Sequence, residues 1–77
     1  MSTPLAYQPP VELDSRTGGG LEVLLLWAPT TGRLWVVVLD LPTGEFFMVD
    51  ARPDNALDVF HHPFAYGSFR ESELLAA

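Results

Sequence analysis

Apolar residues crowd into three runs, Leu21 to Ala28, Arg33 to Asp40 and Glu45 to Asp50, rich in Val, Leu, Trp and Phe. Between them stand Pro29-Thr30-Thr31-Gly32 and Leu41-Pro42-Thr43-Gly44. Proline presets a turn corner, and glycine accepts the left-handed backbone that closes a hairpin. In the second loop Pro42 suits the first corner of a type I turn and Gly44 the bulge position of a three-residue connection. The first loop repeats the Thr-Gly and is expected to close the same way. The pattern predicts a three-stranded antiparallel β-meander.

A short C-terminal helix should follow. Pro53 suits a first helical position, Asp54 favours the positive end of the helix dipole, and Leu57, Phe60 and Phe64 recur at helical spacing. Pro63 cannot donate an N–H, so a break is expected near His62, with Pro63 opening another turn and Gly67 ending it. At the other end Pro4, Pro9, Pro10 and the Gly18-Gly19-Gly20 joint make residues 1–20 an irregular arm, within which Val11-Glu12-Leu13 alternates like an extra N-terminal edge strand. The expected class is α+β, with the domain at 21–67 and a tail at 68–77. The triple glycine is no phosphate loop: Gly-Lys-Ser/Thr does not follow it, and the next element is a strand.

Strand register decides which side chains share a face, and a slip of one residue inverts a strand. Three-residue loops set Pro29 opposite Arg33 and Leu41 opposite Glu45. One face then collects Leu21, Val23, Leu25, Trp27, Trp35, Val37, Leu39, Phe47 and Val49. The other collects Leu24, Leu26, Ala28, Leu34, Val36, Val38, Phe46 and Met48, with Glu22, Asp40 and Asp50 at its ends. Both faces are apolar, unlike a sheet with one wet side. One helix of two or three turns covers one of them, so either the N-terminal arm or a second subunit is expected on the other.

Charge narrows the range of partners. Acidic residues outnumber basic ones by 10 to 4, for a net charge of −6, and the basic residues are arginines spread singly at 16, 33, 52 and 70. A phosphate backbone needs a clustered Lys/Arg footprint, so nucleic acid is disfavoured, and anionic membrane with it. The absence of lysine fits codon bias in a GC-rich genome. There is no cysteine, which excludes disulfides, thiolate metal sites and cysteine nucleophiles and suits the cytoplasm. Met1-Ser2-Thr3-Pro4 lacks the basic start and apolar run of a secretory signal, and no apolar run approaches the length of a membrane span.

Candidate chemistry is thin. His61 and His62 are the histidines, with Asp54 and Asp58 upstream. On a helix Asp58 and His62 lie four apart and could hold a metal with one further carboxylate, while His61 points about 100° away. An ordinary surface pair near a helix C-terminus accounts for the same residues. The serines, Ser2, Ser15, Ser68 and Ser72, sit in the arm and tail, where no scaffold would hold a triad. No catalytic residue and no cofactor is expected, and the chain does not read as an enzyme. Its heavy aromatic load should be mostly core, with Trp27, Trp35, Phe47, Phe64 and Tyr66 as candidate interaction residues beside His62.

Residues 56–66, Ala-Leu-Asp-Val-Phe-His-His-Pro-Phe-Ala-Tyr, resemble the C-terminal segment of small uncharacterised actinobacterial proteins. In those a β-hairpin region precedes a similar Ala-Leu-Asp-x-Phe-x-His-Pro-Phe-Ala-Tyr. The resemblance implies a shared role for His62, Pro63 and Tyr66 and no particular activity. Read from the residues themselves, the segment is a helix-ending motif. Phe60 and Phe64 should pack inward, Pro63 should set the bend, and Tyr66 should reach a backbone acceptor. The end, Leu74-Leu75-Ala76-Ala77, resembles the Leu-Ala-Ala tail that bacterial unfoldase-proteases read.

The leading expectation is a small cytoplasmic interaction module, self-associating as a homodimer through an apolar sheet face and presenting the His62–Tyr66 corner to a protein partner. The alternative is a small-ligand or metal-binding protein using Asp58, His61 and His62. A third reading is an accessory domain whose active site forms only with another chain.

Overall fold

Both proline-glycine loops hold four residues rather than three. The Gly44 N–H donates to the Asp40 carbonyl at 2.7 Å and the Asp40 N–H to the Glu45 carbonyl at 2.8 Å, so residues 41–44 form the loop. The Gly32 N–H likewise donates to the Ala28 carbonyl at 2.7 Å. Gly32 and Gly44 close these loops at φ 77° and 78°, a region that costs other residues strain. This is a computed structural model, and it describes residues 8–69. Four strands, β1 (Val11–Gly18), β2 (Leu21–Ala28), β3 (Arg33–Asp40) and β4 (Phe46–Ala51), form one antiparallel sheet in chain order. The helix α1 (Ala56–His61) and a 3-10 turn (Pro63–Ala65) follow.

The sheet therefore has four strands where the hydrophobic pattern predicts three. The extra edge strand expected at Val11–Leu13 runs on to Gly18, so residues 11–18 are not irregular. Gly19 and Gly20 are not a flexible joint either. Their φ values of 60° and 80° make a two-residue hairpin turn of type I′, whose twist matches the strands it connects. All eight β1 residues are exposed, so this strand carries no buried face to mark it in the sequence.

The longer loops also correct the register. Ala28 faces Arg33 and Leu39 faces Phe46, one residue away from the pairing expected. That slip inverts β3 alone. Leu34, Val36 and Val38 share a face with Val23, Leu25, Phe47 and Val49, while Trp35, Val37 and Leu39 lie on the other.

The first of these faces is the core. Val23, Leu25, Val36, Val38 and Phe47 are buried beneath Ala56, Val59 and Phe60 of α1, which packs across β2, β3 and β4. Burying side chains of this size contributes roughly 1.5–3 kcal/mol each for the larger ones. The helix starts at Ala56 instead of Pro53. Residues 52–55 are held in a turn, with Asn55 Oδ1 accepting from the Arg52 N–H at 2.7 Å and its N–H donating to the Arg52 carbonyl at 3.0 Å. The inward face is consequently Ala56, Val59, Phe60 and Pro63, and Leu57 is 62% exposed. Pro63 interrupts the helix as expected and takes the first position of the 3-10 turn.

Candidate interaction surface

With α1 on one side, the opposite face of the sheet has nothing over it among the described residues. Its side chains form cross-strand rows: Thr17, Glu22, Leu39 and Phe46; then Ser15, Leu24, Val37 and Met48; then Glu12, Leu26, Trp35 and Asp50; then Ala28 and Arg33. The middle of this array is apolar; its margin is polar along β1 and at Glu22, Arg33 and Asp50, and apolar along β4 at Phe46 and Met48. Leu24, Leu26, Trp35, Val37 and Leu39 are half-buried by their neighbours, whereas Phe46 and Met48 are 54% and 55% exposed. Residues 11–20 form β1 and the first turn of the sheet, so that part of the arm does not fold across the face.

One end of the face carries an ordered ion pair. Arg33 Nε and Nη2 both donate to Asp50 Oδ1, at 3.0 and 2.7 Å, and the guanidinium stacks on Trp35 at 4.9 Å from its ring centre. Trp35 and Asp50 are direct cross-strand partners, which brings all three groups together. At the other end stands Glu22.

The candidate interaction residues divide accordingly. Trp35 lies on the open face. Trp27 sits at the margin of the helix-side face, and Phe47 is core at 4% exposure. Phe64 and Phe69 meet Phe47 edge-on, at 5.3 and 5.0 Å between ring centres, yet Phe64 remains half exposed and not packed inward. His62 is exposed at the helix break. Tyr66 donates to the Asp58 carboxylate and not to a backbone acceptor. That bond favours the neutral phenol and raises the Tyr66 pKa, with smaller upward pushes from desolvation and the Asp58 charge and a downward one from Arg52.

The Asp58–His62 pair expected on a continuous helix gives way to Asp58–Tyr66. The helix ends at His61, His62 leaves it at φ −132°, and the chain turns back so that the phenol reaches Asp58. His61 is exposed with its ring against Phe60. Among the described residues no three His, Asp or Glu side chains converge on a point where a metal could sit, no polar or charged residue is buried, and no cavity is enclosed. The Leu74–Ala77 end lies outside the described residues.

One functional contact of the fold escapes the sequence pattern. Arg16 of β1 donates through Nη2 to the carbonyls of Phe60 and His61, at 3.0 and 3.3 Å, and lies over the Phe60 ring at 5.5 Å. It serves carbonyls that the end of a helix leaves unsatisfied. Compared with known protein families, curated proteins and solved structures, the chain matches none.

Proposed function

We propose that the protein is a small cytoplasmic interaction module that self-associates through the open sheet face. The observation that carries this reading is the apolar array from Leu24 and Leu26 across Trp35, Val37 and Leu39 to Phe46 and Met48, opposite the helix-covered core. An apolar face this continuous, running out to the exposed Phe46 and Met48 at the sheet edge, is the signature of an interface.

A second copy is the occupant that fits best. Four strands about 4.8 Å apart, over some 24 Å of length, give a footprint on the order of 450 Å² per sheet, near the lower bound for a specific dimer. The rim is self-complementary as well. A two-fold axis midway between the two packed faces, parallel to the sheets and running across the strands between the Leu24 and Leu26 rows, lays the Glu22 row of one sheet over the Arg33 row of the other. Aligned packing of this kind is the ordinary geometry of a β-sandwich.

Light scattering coupled to size exclusion over a concentration series tests the proposal. A mass that rises to twice the monomer's with concentration is expected. Phe46→Ser should shift that rise to higher concentration, and Leu41→Ser, an exposed loop change off the face, should not. A monomer across the whole series would refute it.

A further inference from the structure

The two edges of the sheet are built differently, and the difference points to a second interface. Edge strands present unpaired backbone groups, and proteins blunt them with bulges, charges and prolines. At β1 all three devices are present: a register shift between Glu12 and Asp14 that leaves Leu13 as an extra residue, the charges Glu12, Asp14 and Arg16, and Pro9-Pro10 just ahead. At β4 the pairing with β3 runs unbroken from Phe46 to Ala51, no proline interrupts it, and its one charge, Asp50, is already paired with Arg33.

Backbone directions on β4 follow from the hairpin. Because Asp40 donates to Glu45, the Val38–Phe47 and Val36–Val49 pairs hold the ladder bonds that come next. The N–H and carbonyl groups of Phe46, Met48 and Asp50 therefore point away from the sheet. The same residues place Phe46 and Met48, the two most exposed apolar side chains of the open face, along this edge.

We infer that β4 pairs edge to edge with β4 of a second copy, antiparallel about a two-fold axis at Met48. This rests on the self-association proposed above but replaces its face-to-face packing, because one second copy cannot occupy both the open face and the β4 edge. In that register Met48 faces its counterpart, and Phe46 faces Asp50 of the second copy at either side. All outward-facing groups of β4 are then bonded, by about six main-chain hydrogen bonds. The charges favour the arrangement. The two Asp50 carboxylates are kept apart, each facing a Phe46 instead of the other. The product is a continuous eight-stranded sheet in which the two open apolar faces become one.

Amide hydrogen exchange on the full chain is the deciding measurement, because packing across the face leaves β4 amides free whereas edge pairing protects them. The amides of Phe46, Met48 and Asp50 should be protected in a concentration-dependent way, while that of Thr17 on the β1 edge exchanges freely. Met48→Pro removes an outward N–H without touching the β3 ladder, and Met48→Ala removes the side chain alone. The proline variant should associate about 30-fold more weakly than the alanine variant, from two lost main-chain hydrogen bonds across the axis. Free exchange at Phe46, Met48 and Asp50 in a sample that is dimeric by mass would overturn the edge pairing and leave the face reading standing. Protection there, with Phe46→Ser dimerising as well as wild type, would uphold the edge and remove the face.

Discussion

Replacing Arg16 with methionine should destabilise the domain by about 1–2 kcal/mol, a large effect for a residue on a fully exposed strand. Two donations to the last carbonyls of α1 supply most of this. A hydrogen bond from a charged group is worth roughly 1.5–3 kcal/mol when buried, and these two are part-buried and exposed, so the pair is discounted to about 1 kcal/mol. The guanidinium over Phe60 adds about 0.5 kcal/mol at an exposed site, and a cation at a helix C-terminus a few tenths more. Methionine keeps the apolar stem that covers the Phe60 ring and removes only the charge and the donors. Lysine restores the charge without the planar fork, so the order should run wild type, then Arg16→Lys, then Arg16→Met. Urea unfolding at one fixed protein concentration measures this, because the proposed self-association would make stability depend on concentration. In a domain of this size the corresponding fall in Tm is roughly 5–15 °C. An Arg16→Met protein within about 0.3 kcal/mol of wild type would show that the β1-to-helix contact contributes nothing, and that the edge strand is held by its ladder bonds alone.

Three further outcomes follow from the same structure. Phe46→Ser strips on the order of 100 Å² of apolar surface from each copy's face, about 200 Å² over the dimer, enough to weaken it by roughly 10³- to 10⁴-fold in a sedimentation series; an unchanged dissociation constant would place the interface elsewhere. Gly67→Ala sets a Cβ 3.1 Å from the Phe47 ring and from Val49, so it should cost roughly 1 kcal/mol in chemical denaturation, and a neutral result would show that this packing relaxes freely. In a Tyr7→Phe background, Tyr66 should titrate above the ordinary tyrosine value of 10.0, and Asp58→Asn should bring it back down, as read by ultraviolet difference absorbance. Because the folded-state pKa is the raised one, the stability this bond contributes is complete below the unfolded tyrosine value and is lost as pH rises through the folded value.

Much of the architecture was legible from residue pattern alone. The Pro-Thr-x-Gly and Leu-Pro-Thr-Gly punctuation located β2, β3 and β4, and Pro63 located the helix break. What the pattern could not give was the length of the hydrogen-bonded loop. Leu41 can serve as the last strand residue or the first loop residue, and only the Gly44-to-Asp40 bond decides between them. Together, the extra residues in the two loops turned β3 over and moved Trp35 onto the open face. The edge strand was hidden for a different reason: an element exposed on both faces has no hydrophobic period to read. Arg16 reaches a helix end 44 residues away, a link no local spacing encodes. Asp58 is read from its helical spacing as a partner for His62, whereas the bend after His61 brings Tyr66 to it instead.

The unequal edges also set a limit on growth. A sheet with two open edges is a template that can extend without end, copy after copy, as in a fibril. In the proposed edge-paired dimer, two β4 strands use up the permissive edge of each copy and leave a bulged, charged, proline-flanked β1 at both outer borders. Edge-to-edge growth of that dimer would terminate itself, with β1 as the stop against open-ended polymers.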